Sequence, residues 1–232
     1  MSIDAKLKEL TKRRKEWVRI NRENGFEKGI KSILTKLYPK KAHFIYELLQ
    51  NSEDAGAHYV KFLLGAAGLG YEHDGDKQFT LMDIDSITSI GSSTKFDDNT
   101  KIGKFGVGFK AVYSYTKTPE IHSGEFDFKI EDMVVPITDN VRPQRNTKNT
   151  MFYFPFDIPE EKPAEQAVTE IGHTLRYLDD ITLLFLKNIK RIEYEFTESS
   201  YKEFANKFDL ELFGDKPGSI EMTELDEHQV QI

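Results

Sequence analysis

Two short segments of the chain carry residues whose types and spacing suit phosphate chemistry. The first places Glu47, Asn51 and Asp54 at intervals of four and three, so a helix would project all three side chains from one face. Amide and carboxylate oxygens suit Mg²⁺, and a nearby carboxylate can deprotonate water. The second segment, residues 102–110, reads I-G-K-F-G-V-G-F-K, and its glycines let backbone N–H groups approach phosphates closely. Together the two segments predict a magnesium–nucleotide site.

Each segment also has a simpler interpretation, which the residues alone leave open. The Glu47 segment could be an amphipathic helix with a polar exposed face, and the glycine run could be a hinge. Two other nucleotide motifs fit less well. A P-loop needs Lys and then Ser or Thr after its last glycine, where this chain has Phe109. A dinucleotide-binding motif needs a hydrophobic strand directly before it, whereas residues 97–101 read D-D-N-T-K.

The patterns along the chain predict helices early and strands later. We expect helices over residues 3–24, 26–37, 44–54, 83–90, 108–115 and 164–178. We expect strands over residues 58–64, 126–130, 133–137, 151–156 and 191–196. Residues 65–76 are predicted to form turns and residues 91–105 a polar loop. This order favours an α+β fold of two layers over regular βαβ winding.

Composition narrows the class of protein. The chain has 232 residues with 38% hydrophobic and 31% charged residues, which is typical of globular proteins. It has no cysteine, which excludes disulfides and thiolate metal sites. No apolar run approaches the roughly 20 residues that span a bilayer, so we expect a cytoplasmic protein without a membrane segment. A net charge of -7 argues against direct nucleic-acid binding, although residues 6–15 form one basic cluster.

The motifs resemble the GHKL ATPase superfamily. Residues 102–113 are similar to the heat-shock-chaperone version of the glycine-rich motif, and residues 37–55 and 89–95 resemble the sacsin-type branch. The resemblance extends over roughly residues 37–156. It implies the Bergerat fold, a two-layer α/β sandwich whose mixed, mainly antiparallel sheet is covered on one face by helices. It also implies a lid that closes over the nucleotide.

The resemblance assigns roles to individual residues. Glu47 matches the general base, Asn51 the magnesium ligand and Asp54 a polar neighbour of the nucleotide. Thr150 matches a threonine that supports the adenine-binding carboxylate. The lid would contain Ser93, Thr94 and Lys95. The phosphate-binding loop would contain Gly103, Lys104, Phe105, Gly106, Val107, Gly108 and Phe109, with Lys104 or Lys110 adding charge.

The adenine-binding motif departs from the family pattern, D-x-G-x-G. Here the region reads E-H-D-G-D-K-Q-F-T from residue 72, and the second glycine is absent. Alignment on Gly75 puts His73 in place of the aspartate, whereas alignment on residues 79–80 puts Asp74 there. We favour Asp74, because an ionised carboxylate accepts a hydrogen bond from the adenine amino group better than a neutral imidazole does.

The motifs and the resemblance together predict a domain organisation and an activity. We expect an N-terminal helical extension (residues 1–36), an ATP-binding domain (37–196) and a charged C-terminal segment (197–232) that leads to further domains of a longer protein. The domain would bind ATP with Mg²⁺ and hydrolyse it slowly to ADP, driving lid closure in a larger protein that could also dimerise. The alternatives are a nucleotide-sensing switch without hydrolysis and a protein-interaction module.

Overall fold

A mainly antiparallel sheet forms the centre of this computed structural model, which describes residues 3–25, 42–89, 108–138, 148–178, 182, 186–197 and 220–221. Its strands are β1 (Tyr59–Gly65), β2 (Gly68–His73), β3 (Glu120–Ser123), β4 (Phe126–Glu131), β5 (Val135–Ile137), β6 (Thr150–Pro155), β7 (Arg191–Phe196) and β8 (Ile220–Glu221). Within the described residues their order is β5-β4-β3-β6-β2-β1-β7-β8. The β1–β7 pair is parallel, and the other pairs are antiparallel. The predicted mixed, mainly antiparallel sheet is confirmed.

Four α-helices and one 3-10 helix accompany the sheet in the described part of the chain. They are α1 (Ile3–Glu23), α2 (Phe44–Asp54), α3 (Leu81–Ile87), the 3-10 helix Gly108–Ser114 and α4 (Ala164–Arg176). The predicted helix over residues 26–37 and the predicted loop over residues 91–105 lie outside the described residues. Among the helices that are described, none is long and apolar enough to cross a membrane.

One face of the sheet carries the core. Along β1, Val60, Phe62 and Leu64 are fully buried, whereas Leu63 on the opposite face is 44% exposed. Successive strand residues point to opposite faces, so this alternation identifies the covered face. Helix α2 joins the core through four buried apolar side chains, namely Phe44, Ile45, Leu48 and Leu49. Burial of each such side chain contributes roughly 1.5–3 kcal/mol, and this packing fixes α2 beside the sheet.

The prediction of turns over residues 65–76 is wrong, because strand β2 occupies the middle of that segment. It pairs with β1 on one side and β6 on the other. Its alternating core residues are Leu69, Tyr71 and His73. Glycines obscured the alternation, yet one of them has a packing role. A Cβ at Gly68 would lie 2.7 Å from the carbonyl oxygen of Phe154, so the two strands need glycine there.

Other boundaries differ from the sequence prediction for local reasons. Strand β3 was not predicted, because its four residues are too short to show a period. Strand β5 starts at Val135, two residues late, since Asp132 and Met133 have φ angles of 50° and 66°. Helix α3 starts early, because Thr80 caps it and exchanges hydrogen bonds with Asp83. The segment predicted as a helix over residues 108–115 forms a 3-10 helix.

Two arginines of the basic N-terminal cluster form hydrogen bonds with other parts of the same protein. The guanidinium groups of Arg13 and Arg14 each donate to Asp85 Oδ1 at 2.8 Å. Arg14 also donates to Ser89 Oγ at 2.6 Å, and Thr11 donates to the Pro136 carbonyl at 2.8 Å. These contacts attach α1 to α3 and β5, which accounts for two of the basic side chains without a nucleic-acid partner.

Glu53 ties the end of α2 to the segment that leads into β7. Its buried carboxylate accepts hydrogen bonds from the backbone N–H groups of Lys187, Asn188 and Ile189 at 2.8–3.0 Å. The Asn188 side chain in turn donates to the Glu53 carbonyl at 3.1 Å. One carboxylate thus satisfies three backbone donors and sets the position of the parallel strand beside β1.

We therefore expect Glu53→Gln to lower the free energy of unfolding by about 1.5–3 kcal/mol, because the amide keeps one acceptor oxygen and loses the charge. Urea denaturation of the 232-residue chain measures this difference. Glu160→Gln is the matched control, because Glu160 is exposed and its substitution should change stability by less than about 0.5 kcal/mol. Equal stabilities for the two variants would contradict this role of Glu53.

Candidate functional site

Helix α2 presents the three polar residues that the sequence singled out. Glu47 is half-buried, with 18% of its side chain exposed, and its Oε1 lies 3.7 Å from His43 Nε2. Burial raises the pKa of the Glu47 carboxyl, and His43 opposes this effect more weakly. A carboxylate with a raised pKa is a better proton acceptor. The surroundings of Glu47 therefore favour a carboxyl group that binds a proton more readily than an exposed one.

Gly108 lies directly against the Glu47 carboxylate. A Cβ added at Gly108 would lie 1.9 Å from Glu47 Oε2 and 2.3 Å from Glu47 Cδ. The φ angle of Gly108 is not in the left-handed region, so this close approach, and not backbone strain, requires glycine. The last glycine of the second motif thus meets the first motif in space, 61 positions away in sequence.

Asn51, one turn further along α2, carries a buried side-chain oxygen for which the described residues offer no partner. Its side chain is 6% exposed, and within the described residues its Oδ1 accepts no hydrogen bond. Leaving such an acceptor unsatisfied costs about 1–3 kcal/mol. The described residues hold no group of three or more His, Cys, Asp or Glu that could bind a metal by itself. An ion beside Asn51 would therefore need ligands from phosphate and water, which is how Mg²⁺ is usually held.

A cavity of about 380 Å³ opens beside Asn51. Its apolar wall consists of Leu48, Ala55, Phe79 and Phe152. Its polar lining consists of Asn51, Ser52, Asp54, His73, Lys77, Gln78, Thr80 and Asp83. Glu47 and Gly108 are not part of this lining, and Glu47 lies one helical turn before Asn51 on α2. A concave site that combines an apolar wall with polar groups is typical of small-molecule binding.

The two residues considered for the adenine-binding position, His73 and Asp74, lie in different surroundings. His73 ends β2, is 4% exposed and lines the cavity. Asp74 is not part of the lining, and its Oδ1 accepts from the backbone N–H groups of His58 and Tyr59 at 2.8 and 2.9 Å. Asp74 therefore anchors the start of β1. Gly75 approaches α2 closely, because a Cβ there would lie 3.0 Å from the Ala55 carbonyl.

Thr150 lies behind the cavity wall. It pairs with His73 across β2 and β6, is fully buried, and its hydroxyl lies 2.6 Å from Ser123 Oγ. Ser123 Oγ in turn accepts from the Phe79 N–H at 3.0 Å. Phe109 is also buried, with its ring centroid 6.2 Å from that of Phe152. Thr150 and Phe109 thus support the wall and do not line the cavity.

Lys110 lies outside the cavity lining as well. Its Nζ is buried and donates to the carbonyls of Ile87 at 2.7 Å and Met133 at 2.6 Å. Burial, with a smaller effect of Arg14, lowers the pKa of Lys110 to about 7. The lysine binds the end of α3 to the turn before β5, and neither of these two acceptor residues lines the cavity.

Eight residues of the predicted site lie outside the described residues. They are Ser93, Thr94, Lys95, Gly103, Lys104, Phe105, Gly106 and Val107. Of the predicted residues that are described, the structure brings Asn51 and Asp54 to the cavity and Glu47 to Gly108. Sequence reasoning missed the aromatic wall, Phe79 and Phe152. In the sequence, Phe79 served as an alignment anchor and Phe152 lies in the predicted strand 151–156. Neither pattern shows that their ring centroids lie 6.1 Å apart in an edge contact.

Comparison with known proteins supports a sacsin-like domain. The family model described as "Sacsin domain" matches residues 73–152, which is less than half of the chain. Human sacsin (Homo sapiens) is 27% identical over 253 residues, which cover 83% of this chain and 6% of sacsin. Protein NO VEIN of Arabidopsis thaliana is 33% identical over 109 residues, which cover 45% of this chain and 4% of that protein. The chain therefore spans a small fraction of the length of these relatives.

One solved structure is similar at the level of chain path. It is described as the crystal structure of the N-terminal domain of a DNA repair protein, with 14% sequence identity and a TM-score of 0.44. The match covers 71% of this chain and 51% of that one. No functional conclusion follows from a likeness at this level.

We expect the Glu47–Gly108 contact to appear as an energetic coupling. Gly108→Ala should destabilise the protein by about 1 kcal/mol, because the new methyl group forces the Glu47 carboxylate out of its rotamer. In a Glu47→Ala background the obstruction is absent, so the same substitution should cost little. Urea denaturation of the two single variants and the double variant measures the coupling.

Gly70→Ala is the control, because a Cβ at Gly70 would lie no closer than 3.7 Å to any atom outside its chain neighbours. Its effect should be small and should add to that of Glu47→Ala. Additive effects of Gly108→Ala and Glu47→Ala would contradict the contact.

A second expectation concerns pH. Burial lowers the pKa of His73 from 6.5 to about 4, against a weaker effect of Asp74. As pH falls, the unfolded chain therefore binds the proton first. The stabilisation is complete above pH 6.5 and is lost toward pH 4, by about 3 kcal/mol. Urea denaturation at about pH 7 and pH 4.5 should show a larger loss for wild type than for His73→Asn, and equal losses would contradict a buried neutral His73.

Proposed function

We propose that this domain binds a magnesium–nucleoside triphosphate and hydrolyses it slowly. ATP is the nucleotide of the GHKL superfamily that its motifs resemble. The observation that best supports this proposal is on α2. There the half-buried Glu47 carboxylate, which contacts Gly108, is one turn from a buried Asn51 oxygen that has no hydrogen-bond partner among the described residues. In this proposal the reaction takes place between α2 and the end of the glycine-rich segment, and nucleotide binding changes the shape of a larger protein.

The unpartnered oxygen of Asn51 supports a ligand at this position. A buried acceptor without a hydrogen bond destabilises a protein, and an apolar residue of the same size would avoid that cost. Such a group is expected where function requires it. The donor set fits Mg²⁺, because a single protein oxygen is sufficient when phosphates and waters complete the shell. A bound Mg²⁺ would neutralise charge on the phosphates.

Glu47 is suited to accept the proton of the attacking water. Its raised pKa reflects partial burial, and removal from bulk water strengthens its interactions with a nearby reactant. Its contact with Gly108 limits the positions that the carboxylate can take. Backbone N–H groups of a glycine-rich segment can stabilise phosphate charge. In this proposal the protein positions and activates the reactants, which suits phosphoryl transfer.

The apolar cavity is suited to hold the base of the nucleotide. Its apolar wall of Leu48, Ala55, Phe79 and Phe152 includes two aromatic rings that suit a flat base. Asn51 lines the same cavity and is one helical turn from Glu47. A base in the cavity would direct its phosphates toward Asn51 and Gly108. Similarity to segments of sacsin and of Protein NO VEIN supports a role within a larger protein, where lid closure would act on other domains.

We expect Glu47→Gln to reduce phosphate release at least about 100-fold, which is the usual loss when a general base is removed. Affinity for the nucleotide should change less than about threefold, because the amide keeps the shape of the carboxylate. A phosphate-release assay and a binding titration on the 232-residue chain measure the two quantities.

Glu160→Gln serves as the control and should behave as wild type, because Glu160 is exposed and distant in sequence from α2. Unchanged turnover in Glu47→Gln would rule out the base role. Nucleotide binding without measurable phosphate release in the wild type would support a switch that does not hydrolyse.

A further inference from the structure

The cavity beside α2 has one buried ring among its polar lining groups. His73 is 4% exposed, and aromatic neighbours hold its ring. The ring centroid lies 6.1 Å from that of Tyr71 and 6.5 Å from that of Phe152, in a stacked arrangement with the latter. A polar atom on this ring is therefore held at a fixed place at the end of an otherwise apolar wall.

A backbone contact determines which nitrogen of His73 carries the proton. The N–H of Gly75 donates to His73 Nδ1 at 3.2 Å. Because a backbone N–H can only donate, Nδ1 is the acceptor, and the proton of a neutral ring is on Nε2. Gly75 is itself fixed, since its Cα approaches the Ala55 carbonyl too closely for a side chain. The tautomer thus follows from the fold of the segment.

The charge of His73 is also determined. Burial lowers the pKa of the imidazole to about 4, and the charge of Asp74 opposes this effect more weakly. Near neutral pH the ring is uncharged, so it offers one N–H donor and no positive charge. Nε2 makes no hydrogen bond within the described residues and belongs to a side chain that lines the cavity.

We propose that His73 selects the base by donating an Nε2–H hydrogen bond to it, so that the site prefers a 6-oxopurine nucleotide to ATP. This inference rests on the proposed function, in which the cavity holds the base. An oxygen at purine position six accepts this hydrogen bond. Adenine has an amino group at this position, and that group is also a hydrogen-bond donor. Both donors would then lack an acceptor unless the base turned in the cavity.

The two nucleotides to compare are inosine triphosphate and ATP. They differ at position six and in the proton on N1, and they share the sugar and the phosphates. With the 232-residue chain and Mg²⁺, inosine triphosphate should bind about five- to tenfold more tightly, which corresponds to one hydrogen bond between neutral groups. His73→Asp replaces the donor with an acceptor and should reverse the preference in favour of ATP.

His122→Asp is the matched control. His122 is also 4% exposed, and it lies on β3, where its Nδ1 contacts Asp127 at 2.8 Å and not the cavity. The control should keep the wild-type ratio of affinities, and thermal unfolding verifies that each variant is folded. If His73→Asp does not fold, His73→Asn replaces it, and its amide, which can donate or accept, should bring the ratio close to one.

The outcomes separate this inference from the proposed function. Tighter binding of inosine triphosphate that depends on His73 supports both. Binding of both nucleotides with ATP preferred by the wild type, or with a ratio that His73 variants leave unchanged, would overturn the base selection alone. Failure of both nucleotides to bind the wild type would overturn the proposed function and the base selection with it.

Discussion

The contact between the Glu47 carboxylate and the backbone of Gly108 is the constraint on which the candidate site depends. No side chain fits between the two, because a Cβ on Gly108 would overlap the carboxylate at 1.9 Å. The approach requires that α2 stay in one place relative to the start of the 3-10 helix. Helix α2 meets this requirement through its apolar face and through Glu53, which binds three backbone N–H groups before β7.

The remainder of the site follows from the same placement of α2. Ser52 and the hydroxyl of Tyr71 lie 2.6 Å apart and connect the helix to β2. At the end of β2, Gly75 passes so close to Ala55 that only glycine is accommodated without displacement. This path fixes His73 at the cavity, while the Ser123 hydroxyl accepts a hydrogen bond from the backbone N–H of Phe79, another lining residue. Among these bonded groups, Asn51 Oδ1 is buried and has no hydrogen-bond partner in the described part of the chain.

Local sequence patterns correctly predicted the helices and strands whose own residues show a clear hydrophobic period. The bounds of α2 and β7 match the prediction, because α2 has a clear apolar face and β7 alternates without glycine. Strand β2 was missed, since its identity depends on pairing with β1 and β6 and its glycines resemble a turn. The Glu47–Gly108 contact joins residues far apart in sequence, and no local pattern encodes such a distance.

The choice between His73 and Asp74 illustrates a different limit. Neighbouring residues of a strand point to opposite faces, so a shift of one position exchanges the buried and the exposed residue. The sequence can be aligned with the family motif on Gly75 or on residues 79–80, and the two alignments differ by one position. Only the hydrogen-bonding chemistry of the two side chains favoured Asp74 over His73. The pairing of His73 with Thr150 sets the register, and it turns Asp74 toward the start of β1. Register is a property of the assembled sheet and not of the segment.

The most direct measurement is a titration of Asn51→Leu and wild type with a non-hydrolysable nucleoside triphosphate, with and without Mg²⁺. Leucine removes the unpartnered buried oxygen, so the ligand-free variant should unfold at the same or a higher temperature than wild type. Wild type should bind the nucleotide at least about tenfold more tightly with Mg²⁺, and Asn51→Leu should lose this dependence. Equal Mg²⁺ dependence in the two proteins, or no binding by wild type, would contradict a magnesium–nucleotide site on α2.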